Sequence, residues 1–250
     1  MHLMKYPPDV EDLPSDKMDD LHRDRFYVAE TVEDCCRLLG AQVVLHRIGT
    51  LFQQECQRVQ QQQSSDSNAS SIPWQGMESC FACIQCMHRF VPSDESEVLP
   101  FCFPLIPQLP PQIAPLRFTA SKTIGKYASW LVAHPQLLQP LLPYLAQGLQ
   151  DRYCAPAAAV AIKELCECSN QTMAMGEPVL QLYHDITVNG NNDTKLELGD
   201  ELQILEGVCR ALSRQIQDTN DDGTAVLTRI VQPIGTRLAA RVAEANASPE

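Results

Sequence analysis

The residues with the clearest chemical potential are Cys80-x-x-Cys83-x-x-Cys86-x-His88. Four soft ligands at such spacing suggest zinc, which needs them to converge tetrahedrally, usually from two loops or from a loop and a helix. Here all four fall on one helical stretch, where successive side chains point about 100° apart. No second Cys-x-x-Cys follows at a zinc-ribbon spacing. Cys80 and Cys83 also share a face with Met77, Ile84 and Met87, which reads as core packing, and Cys166-x-Cys168 reads the same way. Asp218-Thr-Asn220-Asp-Asp222-Gly223 matches the first half of a calcium-binding loop. The twelfth position, which should be a bidentate glutamate, is Arg229, so the segment reads as a polar turn between helices. The sequence contains no Gly-x-Ser-x-Gly, no phosphate-cradling glycine loop and no His-Glu-x-x-His. Its six histidines are scattered. The reading is of a non-enzyme with no catalytic residue, metal or cofactor.

Charge narrows the partners. Of the net −12, residues 1–34 carry −6 and residues 167–222 carry −8, while the two remaining stretches are close to neutral. Such a chain is a poor ligand for nucleic acid or an anionic membrane, and it suits basic proteins. No run approaches the roughly 18 apolar residues of a membrane helix. The opening MHLMKYPPDVEDLP lacks the apolar region of a signal peptide. The eleven cysteines therefore point to a reducing compartment, cytoplasm or nucleus.

The elements that position these residues are helical. Leu116, Ala120, Ile124, Tyr127, Ala128 and Leu131 recur in steps of four and three, marking one helix face. Leu138, Leu141, Leu142, Leu145 and Leu149 form a second run, and Ala158, Ala161, Ile162, Leu165 and Cys166 a third. His134-Pro135 divides the first two runs, and Pro140 stands where the second helix opens, a position that tolerates the missing amide. Two later stripes are Leu198, Leu202, Leu205, Cys209, Leu212 and Ile216, then Leu227, Ile230, Ile234 and Leu238. Pro233 is expected to kink the last helix. Before the central block, Val28, Val32, Cys35, Cys36, Leu39, Val43 and Leu51 form the expected buried side of one or two helices.

Helix, turn, helix, turn is an arrangement in which no pair buries its stripe alone, so pairs must stack. First helices begin near positions 74, 113, 155 and 197, a period of about forty residues at the lower edge of the HEAT and armadillo range. The fold expected is all-α, an α-solenoid of about five HEAT-like antiparallel helix pairs. Its expected divisions are an acidic, disordered lead-in over 1–22, a first helix pair over 23–62 and a polar flexible loop over 63–73. Stacked pairs follow over 74–245, with a tail over 246–250.

The stretch from Ile72 to Ile216 resembles the importin-β superfamily of nuclear transport receptors, in its transportin-SR and importin-thirteen branch. The resemblance is carried by Ile72-Pro-Trp-Gln with Met77-Glu78, by Arg117-Phe-Thr-Ala-Ser with Gly125, and by His134-Pro-Gln-Leu-Leu-Gln-Pro-Leu-Leu-Pro-Tyr-Leu-Ala-Gln-Gly-Leu149. Ala157-Ala-Ala-Val-Ala-Ile-Lys-Glu-Leu-Cys-Glu-Cys168 and Leu205-Glu-Gly-Val-Cys-Arg-Ala-Leu212 continue it. These are packing motifs. The resemblance implies a superhelical carrier that binds protein cargo in the cytoplasm, passes nuclear pore proteins and is regulated by the GTP form of the small GTPase Ran. In that branch the cargo includes arginine-serine-rich splicing factors. It also implies that this is a middle piece of a longer receptor, with the main Ran site outside the chain. The alternative is a short HEAT-repeat scaffold or adaptor without transport activity. Glu177, Asp185, Asp218, Asp221 and Asp222, on second helices and acidic turns, are the candidate residues for meeting basic partner surfaces.

Overall fold

The computed structural model describes residues 2–7, 10, 13–65, 73–168, 175–189, 196–219 and 223–247. Among them there are helices, turns and no strand. The chain divides into two compact units, Met1–Tyr144 and Leu145–Glu250.

The first unit opens with α1 (Ser15–Leu39), preceded by a short 3-10 turn at His2–Met4. Helix α1 thus begins inside the stretch expected to be a disordered lead-in, and Met4 and Val10 are buried. A single residue, Gly40, separates it from α2 (Ala41–Ser65). Gly40 has φ +87°, a conformation that costs glycine little, and its N–H donates to the Cys36 carbonyl at 3.1 Å, closing the helix. The buried side of α2 is Leu45, Ile48 and Phe52. Leu39 and Val43, expected inside, are 62% and 61% exposed, because they flank the turn where neither helix covers the other. The polar tract over 63–73 lies largely outside the described residues, although α2 itself runs to Ser65.

Helix α3 (Gln75–Cys86) follows, fully burying Cys80, Phe81 and Cys83. The Phe81 ring meets Phe52 edge-on at 5.0 Å between centroids. Residues 99–108, which include Pro100, Pro104 and Pro107, form α4 (Leu99–Cys102), which tightens into a 3-10 turn at Phe103–Gln108 where prolines interrupt the α-helical bonding. Glu95 organises this entry: its carboxylate accepts the N–H groups of Glu97, Val98 and Leu99 at 2.8, 2.6 and 2.9 Å. The predicted first run of the central block is two helices, α5 (Ala114–Lys126) and α6 (Ala128–Val132), broken at Tyr127. Its stripe is buried as expected from Leu116 to Leu131. Then come α7 (Pro135–Leu138) and α8 (Leu141–Gly148), each opening at or just after a proline. Within this unit α2 packs on α1 and α3, α1 packs on α3, and α3 packs on α5.

The second unit contains α9 (Ala155–Cys168), α10 (Gly176–Asn189), α11 (Leu198–Thr219) and α12 (Gly223–Ala247). Helix α9 packs extensively on α11, and α10 packs on α11 and α12. Helices α9 and α11, like α10 and α12, meet across one intervening helix, and α11 also meets both α10 and α12, which is the packing of HEAT-like stacked pairs. Ala158, Ala161, Ile162, Leu165 and Cys166 of α9 are buried as the spacing predicts.

On α11 the buried side is Ile204, Val208, Ala211 and Leu212, rotated from the predicted stripe. Leu198 and Leu202 face outward, and so does Cys209. The reason is Gly207. A Cβ there would lie 2.8 Å from Lys163 Cα and 3.2 Å from Cys166 Cβ, so the helices touch at the glycine and the flanking residues 204, 208 and 211 turn inward. Helix α12 is continuous through position 233. Of its predicted stripe only Ile230 is buried; Leu227, Ile234 and Leu238 are exposed.

Candidate functional site

Polar contacts inside each unit join successive repeats. Along the α3–α5 seam, Thr119 Oγ1 donates to Glu78 Oε1 at 2.7 Å, and Tyr127 Oη donates to the Ile84 carbonyl at 2.9 Å. These partners lie 41 and 43 residues apart. Along α9–α11, Lys163 Nζ donates to Gln203 Oε1 at 3.1 Å and to Glu206 Oε2 at 2.6 Å, at separations of 40 and 43. The Lys163 hydrogen bond holds the Glu206 carboxyl below its ordinary pKa. The period of about forty read from the sequence therefore reappears as the spacing of polar ties between equivalent helices.

The most buried of these networks centres on Glu78. Arg25 of α1 forks onto its carboxylate at 3.0 and 2.6 Å, and Thr119 supplies a third donor. Arg25 also bonds the Met4 carbonyl and lies 4.1 Å from the centroid of the Tyr6 ring. Burial pushes the Glu78 carboxyl above its ordinary pKa, against the opposing pull of Arg25 and Thr119. This arrangement ties α1, α3 and α5 together; its ionic groups are used up by one another.

The cysteine motif separates on the α3 surface. Cys80 and Cys83 are fully buried, while Cys86 and His88 are half-buried. Desolvation raises all three thiols, Cys83 to about 11. Met77, Ile84 and Met87 line the same buried side. No group of three or more His, Cys, Asp or Glu side chains converges as a metal site among the described residues.

Of the five acidic candidates, the structure locates two side chains. Glu177, in the first turn of α10, receives both arms of the Arg229 guanidinium at 2.8 and 2.6 Å. Both side chains are about half exposed, and the bond raises the Arg229 pKa. His184 donates through Nε2 to the Arg229 carbonyl at 3.1 Å, a second tie between α10 and α12. Asp185, also on α10, is exposed and accepts from Gln181 Nε2 at 3.0 Å. Position 218 lies in the last turn of α11 but its side chain is outside the described residues, as are Asp221 and Asp222 altogether. Sequence reading missed Arg229 as the partner of Glu177. The two are 52 residues apart, and Arg229 drew notice only as the wrong residue for a calcium loop.

Comparison with known proteins shows what this chain is similar to. Residues 96–182 match the family model described as the Transportin-3/Importin-13 third TPR domain. Transportin MOS14 of Arabidopsis thaliana is 26% identical over 214 residues, covering 82% of this chain and 21% of that protein. The mRNA transport regulator MTR10 of Saccharomyces cerevisiae is 22% identical over 199 residues, covering 76% and 18%. Human importin-13 is 21% identical over 192 residues, covering 74% and 19%. Over these stretches the chain is similar to transportins and importins of the importin-β, or karyopherin, superfamily. It spans 18 to 21% of the length of these relatives. TPR and HEAT both denote stacked helix pairs; the cross-repeat ties exceed the TPR period of about 34 residues and suit the longer HEAT unit.

Proposed function

We propose that this chain is a protein-binding portion of a nuclear import receptor, acting without catalysis or cofactor and moving between cytoplasm and nucleus. The observation that carries the reading is the match of residues 96–182 to a transportin and importin domain. Stacked helix pairs support it physically, because they present long surfaces on which no single pocket is needed. The cargo we infer is a basic, arginine-serine-rich protein segment, released when Ran in its GTP form binds the receptor at a main site outside this chain. Nuclear pore proteins are the remaining partners of this reading.

The acidic residues divide into two roles. Glu177 is engaged by Arg229, so it serves the α10–α12 joint first and can offer a partner only what that fork leaves. Asp185, exposed beside Gln181, and Asp218, Asp221 and Asp222 supply the negative charge that meets the cargo.

Fluorescence anisotropy of a labelled arginine-serine-rich peptide, titrated with the 250-residue chain, tests this. Saturable binding is expected. Asp185→Lys combined with Asp218→Lys, Asp221→Lys and Asp222→Lys should weaken it at least about tenfold, since rim charges act together. Saturable binding that the four substitutions leave unchanged would remove these acids from the site.

A further inference from the structure

Against a net charge of −12, the α3–α5 seam gathers positive charge. Lys122 and Lys126 stand one turn apart on α5, both exposed, and Arg89 is exposed in the turn that follows α3. Neighbouring bases are neutralised: Arg25 forks onto Glu78, and Arg37 pairs with Glu33 and Asp34. Among the described residues, Arg89, Lys122 and Lys126 are in no ion pair. These residues lie well inside the chain, with described helices before and after them in sequence.

Like charges four apart on one helix repel, and the fold gives only half a reason for this pair. Lys126, in the last turn of α5, suits the negative end of the helix dipole; Lys122 lies before that turn. The His88 ring sits 6.5 Å from that of Tyr127, which brings the end of α5 against the turn bearing Arg89. Two groups register the resulting positive potential. Partial desolvation, with the charges of Lys126 and Arg25, holds the Lys122 ammonium below its ordinary pKa. Desolvation, with the charges of Lys126 and Arg89, does the same to His88, outweighing the Gln85 carbonyl and Glu33. Glu33, whose charge reaches His88, is itself bound to Arg37 at 3.0 Å.

We propose that Arg89, Lys122 and Lys126 form a docking surface for an acidic segment of a partner protein, rich in aspartate or glutamate. The two lysines span about 6 Å along the helix, a length that a few carboxylates match. A nucleic-acid backbone would run beyond the patch over a chain of net −12, which repels it. Lys122 Nζ lies 5.6 Å from the centroid of the half-buried Phe118 ring, so the partner meets an apolar surface beside the charge. The ligand is opposite in charge to the proposed cargo and uses other residues, so this inference stands or falls apart from nuclear transport.

Fluorescence anisotropy of labelled octaglutamate, titrated with the intact 250-residue chain at low and at physiological salt, is the test. Saturable binding is expected, weaker at the higher salt because exposed charges are screened. Lys122→Gln with Lys126→Gln should weaken it at least about tenfold, and Arg89→Gln, outside any helix, should weaken it too. Arg47→Gln with Arg152→Gln removes the same net charge from exposed bases outside the seam and should leave affinity within about twofold. All five positions are exposed, so helical circular dichroism should match wild type. The arginine-serine-rich peptide should bind wild type and the lysine variant alike, which keeps the two readings separable. No saturable octaglutamate binding at low salt would overturn the proposal. So would an affinity that the lysine variant leaves unchanged, or equal weakening by the two double variants, which would reduce the effect to net charge.

Discussion

At the scale of single residues, Glu78 is among the groups that hold the fold together. Its carboxyl is buried and its folded pKa lies above the ordinary value of 4.5. A raised carboxyl pKa means that the folded state holds the proton more tightly than the unfolded state. Stability from this group is therefore greatest in acid and falls as pH rises from 4.5 through the raised value. Glu78→Gln removes that ionisation, so urea unfolding measured across this range should show a shallower pH dependence than wild type. Arg25→Met is harsher, because it leaves a charged carboxylate buried without its fork; a loss of about 3–5 kcal/mol is expected. The thiols give an independent check. Cys80, Cys83, Cys102, Cys154 and Cys166 are buried, whereas Cys209 is exposed. Iodoacetamide applied to the native protein should modify Cys209 while those five stay unmodified until unfolding, as read by mass spectrometry of the peptides.

At the scale of elements, close approach decides register. Gly207→Ala places a methyl group against the α9 backbone, and Gly207→Val would force the helices apart. A loss of about 1–3 kcal/mol is expected for alanine and more for valine, measured as a lowered unfolding midpoint. This glycine also explains where sequence reading stopped short. On α5 and α9 the apolar residues form one stripe with polar flanks, so the buried face is legible from spacing. On α11 leucines and isoleucines occupy two adjacent stripes, and periodicity cannot choose between them. The choice comes from a contact with Lys163 and Cys166, one repeat earlier in sequence. The Glu177–Arg229 fork was illegible for a related reason: its two residues come from helices brought together only by stacking. Substituting Arg229→Ala should lower the unfolding midpoint only slightly, because an exposed pair is worth about 1 kcal/mol or less.

At the scale of the whole molecule, repetition connects the fold to its use. The polar ties at separations of 40 to 43 residues, the family match over 96–182 and the alternating helix contacts all describe one unit used again and again. Stacked pairs present extended surfaces, and the proposed reading of a transport receptor is supported by the similarity of residues 96–182 to a transportin and importin domain. The most direct measurement is capture of an arginine-serine-rich protein on a receptor containing this chain, with Ran added in its GTP form or its GDP form. The account predicts that cargo is retained with the GDP form and released with the GTP form. Retention that is the same with both would contradict it and favour a scaffold without transport activity.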